Sequence, residues 1–332
     1  MALAQEADRL GYSVAWAAEA YGSDVPTVLA WVAAQTKQMD VGSAILQIPA
    51  RQPTMAAMTA ATLDTLSGGR FRMGLGVSGP QVSEGWYGVP FTRPLRRTRE
   101  YVEVVRKTWA REVVSYQGEE FQLPSEGGTE LGKPLKLMIS PVQESVPIYL
   151  GAIGPKAIVQ TGEIADGWLP AFFNPHDAGD LLAGLDEGLE RSGRTREAID
   201  IAPLVPVAVE ERLQDAQDAV KPFIAFYLGG MGAKGKNFYV DLCEKYGFGE
   251  EANEIQDRFL AGDRMGAVNA VSEDIIEIGS IAVTPDLLDE RLAAYSGAGA
   301  DSLVAMTFGG SRDSTIERLA AWRGGDGGAG RD

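Results

Sequence analysis

Glu19 closes the run Ser13-Val14-Ala15-Trp16-Ala17-Ala18-Glu19, in which every other residue is small or apolar. A carboxyl group at the end of such a strand is part-desolvated, holds its proton more tightly, and can deliver it to a reacting group. Tyr21, two residues on, is placed to orient a substrate. The competing reading of Glu19 is a structural carboxylate bonded to the N–H groups of neighbouring loops. A second group of residues concerns a ligand's shape. Gly74-Leu75-Gly76-Val77-Ser78-Gly79-Pro80-Gln81 leaves a buried strand for a glycine-rich loop that continues to Gly88. Glycine weakens strands, so this density points to a sharp turn or a close backbone approach, as at the rim of a cofactor pocket. A third group concerns charge. Gly151-Ala152-Ile153-Gly154-Pro155-Lys156 reads as strand, loop and helix start, leaving backbone N–H groups aimed at an anion. An ordinary tight turn with a solvated Lys156 is the alternative.

The elements that must position these residues alternate along the chain. Strand candidates lie at 13–19, 39–48, 71–77, 147–153, 167–173, 199–209 and 302–308, most of them bounded by Gly, Pro or Asp. Helical patterns lie between them at 54–66, 94–110 and 155–165. In the second, Leu95, Val102, Val105 and Trp109 form an apolar stripe that is a core face. Continuous apolar strands alternating with helices predict a parallel sheet covered on both sides, and their even spread predicts an α/β chain folded as a TIM-type (β/α)8 barrel. We expect a single domain over 1–323, with insertions near 118–144 and 221–279 and a disordered tail at 324–332. The second insertion is helical with glycine breaks, and packs in the core or serves as a lid or a dimer surface.

Composition narrows the function classes. The chain has 332 residues and a formal net charge of −16, which argues against nucleic-acid and anionic-membrane surfaces. One cysteine, Cys243, and one histidine, His176, exclude a disulfide framework and a Cys- or His-based metal site, and suit a reducing cytoplasm. No stretch is long and apolar enough for a membrane span, and no secretory leader pattern opens the chain. The basic cluster Arg93, Arg96, Arg97 and Arg99 stands out in so acidic a chain. It either receives an acidic ligand tail or pairs with Glu100 and Glu103 on a solvated helix. Trp86, Tyr87 and Phe172 suggest an aromatic-walled pocket. Gly74 to Gly79 fits a dinucleotide fingerprint superficially, but no strand–helix unit with an acidic residue about twenty positions on supports it, because Trp86 to Arg93 reads as an irregular loop.

Four motifs in order carry a resemblance. They are Trp16 to Asp24, Gly42 to Arg51, Gly74 to Gly88, and Tyr149 to Lys156 followed by Ala165-Asp166-Gly167-Trp168. Together they resemble the luciferase-like monooxygenase superfamily, in its branch of coenzyme F420-dependent oxidoreductases, similar to methylenetetrahydromethanopterin reductase. The resemblance runs from Ala4 to about Phe308. It implies a cofactor phosphate near Gly151, Ala152, Gly154, Pro155 and Lys156, and a ring system against Ser43, Ala44 and Ile45, where the superfamily carries a non-prolyl cis peptide, here Ala44–Ile45. Val77, Ser78, Gly79 and Gln81 would line the same cofactor.

The implied activity is hydride transfer between reduced F420 and a small conjugated or iminium-like organic substrate. The alternatives are an FMN-dependent monooxygenase and a non-catalytic flavin- or partner-binding barrel. A homodimer is in keeping with the resemblance. The family's sugar-phosphate dehydrogenase branch uses a histidine beside Glu19 and a glutamate after the fourth strand. This chain has Ala20 and Gly79-Pro80 there, so that chemistry is not implied. Members also usually begin with a strand ahead of the helix that opens this chain. Its absence suggests a start assigned too far downstream, the other explanation being an imperfectly closed barrel.

Overall fold

The computed structural model describes residues 1–127 and 129–322, so the expected tail at 324–332 lies outside the described residues. Its contacts divide the chain into two compact units. The first comprises Met1–Ala152 with Val159–Gly167 and Glu187–Arg196.

The first unit opens with α1 (Ala2–Leu10), which Gly11 ends in the left-handed conformation at φ 83°. Then follow β1 (Val14–Ala17), α2 (Val25–Gln35), β2 (Asp40–Ser43) and β3 (Leu46–Gln47). A 3-10 turn, Ile48–Ala50, leads into α3 (Pro53–Ser67), and β4 (Phe71–Gly76), α4 (Pro80–Gly85) and α5 (Pro94–Trp109) come next. An antiparallel hairpin, β5 (Tyr116–Gln117) and β6 (Gln122–Leu123), precedes β7 (Ile148–Leu150). The sheet runs β1-β2-β4-β7, all parallel, and β3 also pairs with β4.

Its strands carry the buried apolar residues Val41, Phe71, Met73, Leu75 and Ile148, all out of contact with solvent. Four alanines of α3, Ala56, Ala57, Ala60 and Ala61, let that helix lie close to its neighbours. Glycine is required where side chains cross the sheet. A Cβ on Gly42 would stand 2.4 Å from the Trp16 ring, which packs edge-on against Tyr149 at 5.1 Å. Arg72 joins this layer, its Nε 2.8 Å from Asp40 Oδ2 and its Nη1 donating to the Tyr149 hydroxyl at 2.7 Å. Asp64 is fully buried. It accepts from the backbone N–H groups of Val142 and Gln143 and from Gln143 Nε2, and so anchors the end of the irregular 118–144 segment.

Three elements then carry the chain onward: α6 (Pro155–Ile164), β8 (Gly167–Trp168) and α7 (Gly179–Arg191). The second unit comprises Ile153–Ile158, Trp168–Asp186 and the chain from Glu197 onward. It holds β9 (Asp200–Ile201), β10 (Leu204–Val209) and then the helices α8 (Leu213–Gly230), α9 (Phe238–Lys245), α10 (Gly249–Leu260), α11 (Arg264–Asn269) and α12 (Glu273–Gly279). After them come β11 (Ile281–Val283), α13 (Leu288–Gly297), β12 (Val304–Thr307) and α14 (Arg312–Ala321). A parallel sheet runs β11-β10-β12. The carbonyls of Trp168 and Pro170 accept from the N–H groups of Ala202 and Leu204 at 2.9 and 2.7 Å. Trp168, Phe173 and Tyr295 form a buried aromatic stack beneath these strands.

Each strand expected from the sequence contains an observed strand, although 39–48 is broken between Ser43 and Leu46 and 199–209 between Ile201 and Leu204. The β5–β6 hairpin and β11 were not expected. With three residues between Gly279-Ser280 and Thr284-Pro285, β11 is too short to show alternation or a continuous apolar run. The expected insertion at 221–279 is helical as read, but its first helix begins earlier, at Leu213, and runs through Pro222. Among the described residues no helix is long and apolar enough to cross a membrane.

Candidate active site

In the first unit the ends of β1, β2 and β4 bring most of the expected residues together. Glu19 follows β1 and is 7% exposed. Its carboxylate takes both ends of the Arg51 guanidinium, at 2.6 Å from Nη1 and 2.7 Å from Nη2, which is bidentate pairing. It also accepts from Val25 N at 3.3 Å and Gln47 N at 3.2 Å. All four contacts are N–H donors, two from the Arg51 guanidinium and two from the backbone. Its burial was legible in the sequence. Arg51, its principal partner, was not singled out there. The signal available was one arginine directly after the apolar run Ile48-Pro49-Ala50, with Pro49 in the turn that carries the chain back past β1.

The network extends through Gln47. Its side-chain oxygen accepts from the Tyr87 hydroxyl at 2.6 Å, while its backbone N–H holds Glu19. Burial, followed by the nearby Glu19 charge, raises the Tyr87 pKa, so the phenol remains a donor. Tyr21 is 56% exposed and lies 6.5 Å, ring to ring, from Trp86, which is 64% exposed. Tyr21 lies two residues after Glu19 and Trp86 directly before Tyr87, so the two exposed rings pair across the loops that carry these residues.

The peptide bond between Ala44 and Ile45 is cis, at the position the resemblance implied. Ile45 lies over Gly76, where a Cβ would come within 2.5 Å of Ile45 Cδ1, so glycine here makes room for a neighbouring side chain. Ser43 is fully buried, and its hydroxyl donates to Gly74 O at 2.9 Å and accepts from Gly74 N at 2.8 Å. Both bonds hold β2 against β4. Val77, Ser78 and Gly79 are half-buried at the end of β4, and Gln81 is exposed on α4. Ser78 sits at φ 59°, a left-handed conformation that costs a non-glycine residue about 1–2 kcal/mol.

Gly151 extends β7, donating to Leu75 O at 2.9 Å, and the adjacent Ala152 is buried. Gly154, Pro155 and Lys156 belong to the second unit. There Gly154 O accepts from Ala157 and Ile158, Pro155 opens α6, and Lys156 is exposed with no ion pair among the described residues. A helix start with proline at its first position and an exposed lysine at its second is a ready anion site.

The arginine cluster is paired, though not with Glu100 and Glu103. Arg93 bonds Glu119 and Glu120, at 3.2 and 2.8 Å, Arg96 bonds Glu119, Arg97 bonds Glu120, and Arg99 bonds Glu163. Glu100 instead accepts the backbone N–H groups of Glu119, Glu120 and Phe121. His176 stands apart, its Nε2 3.2 Å from Arg291 Nη1. Among the described residues no three His, Cys, Asp or Glu side chains are grouped to hold a metal.

Comparisons with known proteins agree with one another. The chain is 41% identical over 307 residues to a Mycobacterium tuberculosis protein named as a coenzyme F420-dependent oxidoreductase, covering 91% of this chain and 88% of that one. It is 29% identical over 306 residues to 5,10-methylenetetrahydromethanopterin reductase of Archaeoglobus fulgidus, covering 90% and 86%. Among solved structures, the coenzyme F420-dependent tetrahydromethanopterin reductase of Methanopyrus kandleri superposes with a TM-score of 0.82 at 27% identity, covering 96% of this chain and 92% of that one. An F420-dependent secondary alcohol dehydrogenase bound to an F420–acetone adduct shares the fold, with a TM-score of 0.75 at 18% identity, covering 96% and 91%. The α/β fold is thus of the TIM-barrel type. The model of the luciferase-like monooxygenase family matches residues 1–302, and the chain belongs to that family.

Proposed function

We propose that the protein is an F420-dependent oxidoreductase that transfers hydride between the deazaflavin and a small organic substrate. The observation that carries this reading is the 41% identity, over nearly the whole chain, to a protein named for F420 dependence. The residues fit such a molecule. Gly76 leaves room for Ile45, the loop Val77-Ser78-Gly79 presents backbone rather than long side chains, and Gly154-Pro155-Lys156 offers an anion site. When bound, F420 supplies the hydride chemistry. In the first unit, taken by itself, Ala44, Ile45 and Val77 to Gly79 are the residues that would face the ring system.

Glu19 in this reading fixes the Arg51 guanidinium and the Gln47 backbone, and Tyr21 with Trp86 walls the substrate side. The Tyr87 phenol, held by Gln47, is the nearby O–H donor. The reading includes a cytoplasmic location, in keeping with the buried Cys243, whose thiol pKa burial pushes up to about 12. It also includes a homodimer. The outward side of α2 carries Val28 and Trp31, and that of α3 carries Met55, Met58 and Leu66, with no charged residue on either stripe in a chain of net charge −16. A patch of this kind on so acidic a molecule is where two copies meet with the least repulsion. The decisive test is whether the chain binds F420 in preference to FMN.

A further inference from the structure

Five aromatic rings meet in the second unit. Phe172 follows β8, Phe223 and Tyr227 lie one turn apart on α8, Tyr239 is on α9, and Phe308 follows β12. Ring centroids are 4.3 Å apart for Phe223 and Tyr227, 4.9 Å for Tyr227 and Tyr239, 5.5 Å for Phe172 and Tyr239, and 5.6 Å for Phe223 and Phe308. In (β/α) barrels, segments that follow strands, as Phe172 and Phe308 do, build active sites.

Two features distinguish the cluster from ordinary core packing. Phe223, Tyr227, Tyr239 and Phe308 are each only half-buried, so the rings form a wall open to solvent. Neither Tyr227 nor Tyr239 bonds its hydroxyl to another group among the described residues, whereas tyrosine hydroxyls in packed cores usually find partners. Tyr246 close by does so, its hydroxyl donating to Phe172 O at 3.3 Å. Burial raises the pKa of both Tyr227 and Tyr239, which keeps both phenols protonated and able to donate.

Phe172 adds a third observation. Its φ of 54° is the left-handed region, a rare conformation for a bulky residue. Gly279 accommodates it, since a Cβ there would stand 3.1 Å from Phe172 Cδ1. A strained backbone that presents a ring to a half-open aromatic cluster marks a ligand site.

We propose that Phe172, Phe223, Tyr227, Tyr239 and Phe308 form a substrate subsite for a flat, conjugated, uncharged ring system, with the two tyrosine hydroxyls donating to a carbonyl or ring nitrogen on it. The subsite rests on the hydride-transfer reading for its use, but its binding can be measured without the cofactor. Calorimetric titration of the full chain with coumarin, a flat conjugated lactone, is run beside cyclohexanone, a saturated ring ketone. Coumarin is expected to bind at least about tenfold more tightly, because only a flat ring stacks on such a wall. The double substitution Tyr227→Phe with Tyr239→Phe keeps both rings and should weaken coumarin about tenfold, the worth of lost hydrogen bonds. Phe223→Ala should weaken it about fivefold through lost stacking. F420 titrations of the same proteins should match the unsubstituted chain, as should the thermal melt of the double variant, which keeps both rings. Coumarin binding no tighter than cyclohexanone, or unchanged by the double substitution, overturns the proposal. A chain that binds coumarin but not F420 overturns the cofactor reading and leaves the subsite standing.

Discussion

At the residue scale, Glu19 shows how a buried group can be visible in sequence while its partners are not. Its position after a strand of small and apolar residues gave its burial, but bidentate pairing with Arg51 depends on a partner far along the chain. Two roles follow, and they separate experimentally. If Glu19 fixes Arg51, Glu19→Gln leaves a partly buried guanidinium without its counter-charge and should cost about 3 kcal/mol of stability. The limbs of the pH profile of kcat/KM should then stay where they are. A proton-donor role would remove one limb and spare stability. Ser43 is a second case. A serine beside the cis bond is visible in sequence, and only the three-dimensional pairing of β2 with β4 shows its hydroxyl held on both sides by Gly74.

At the element scale, apolar runs bounded by turn residues were legible, including those that hold the short β7 and β8, whereas β5, β6 and β11 were not. α3, α5 and the strands β4 and β10 announce themselves through apolar runs and bounding glycines or prolines. β5, β6 and β11 are two or three residues long and owe their existence to the strands they pair with, which no local pattern records. One junction between elements makes a pH-dependent prediction. Glu210 at the end of β10 accepts from Ser311 Oγ at 2.6 Å and Ser311 N at 3.0 Å, just ahead of α14. The Ser311 hydroxyl, then its backbone N–H, lowers the Glu210 pKa. A depressed carboxylate contributes stability that is present above its unfolded pKa and lost as pH falls through its folded one. Stability should therefore decline as the solution is acidified through and below the ordinary glutamate range. Ser311→Ala should lower stability by about 1–2 kcal/mol at neutral pH and shrink that acid decline, as read by denaturant melts across pH. An acid limb identical in the variant would refute the assignment.

At the scale of the whole molecule, the proposed homodimer would place the uncharged stripes of α2 and α3 at its interface, in a chain of net charge −16. Light scattering behind a sizing column should give a dimer for the unsubstituted chain, and Trp31→Glu combined with Met58→Glu should give a monomer with an unchanged melting profile. A dimer that survives both charges would place the interface elsewhere. The fold class was legible because alternating strands and helices leave few architectures open, and the four motifs narrowed those to one family. The close packing of Ile45 on Gly76 was legible as a glycine-rich strand exit, whereas the pairing of Glu19 with Arg51 and the aromatic cluster of the second unit were not, since their members come from separate stretches of the chain. The central claim is the cofactor. Tryptophan-fluorescence titration with F420 and FMN side by side tests it most directly. The account predicts saturable F420 binding at least about tenfold tighter than FMN, a difference of about 1.4 kcal/mol. FMN binding as tightly as F420, or more so, would contradict it.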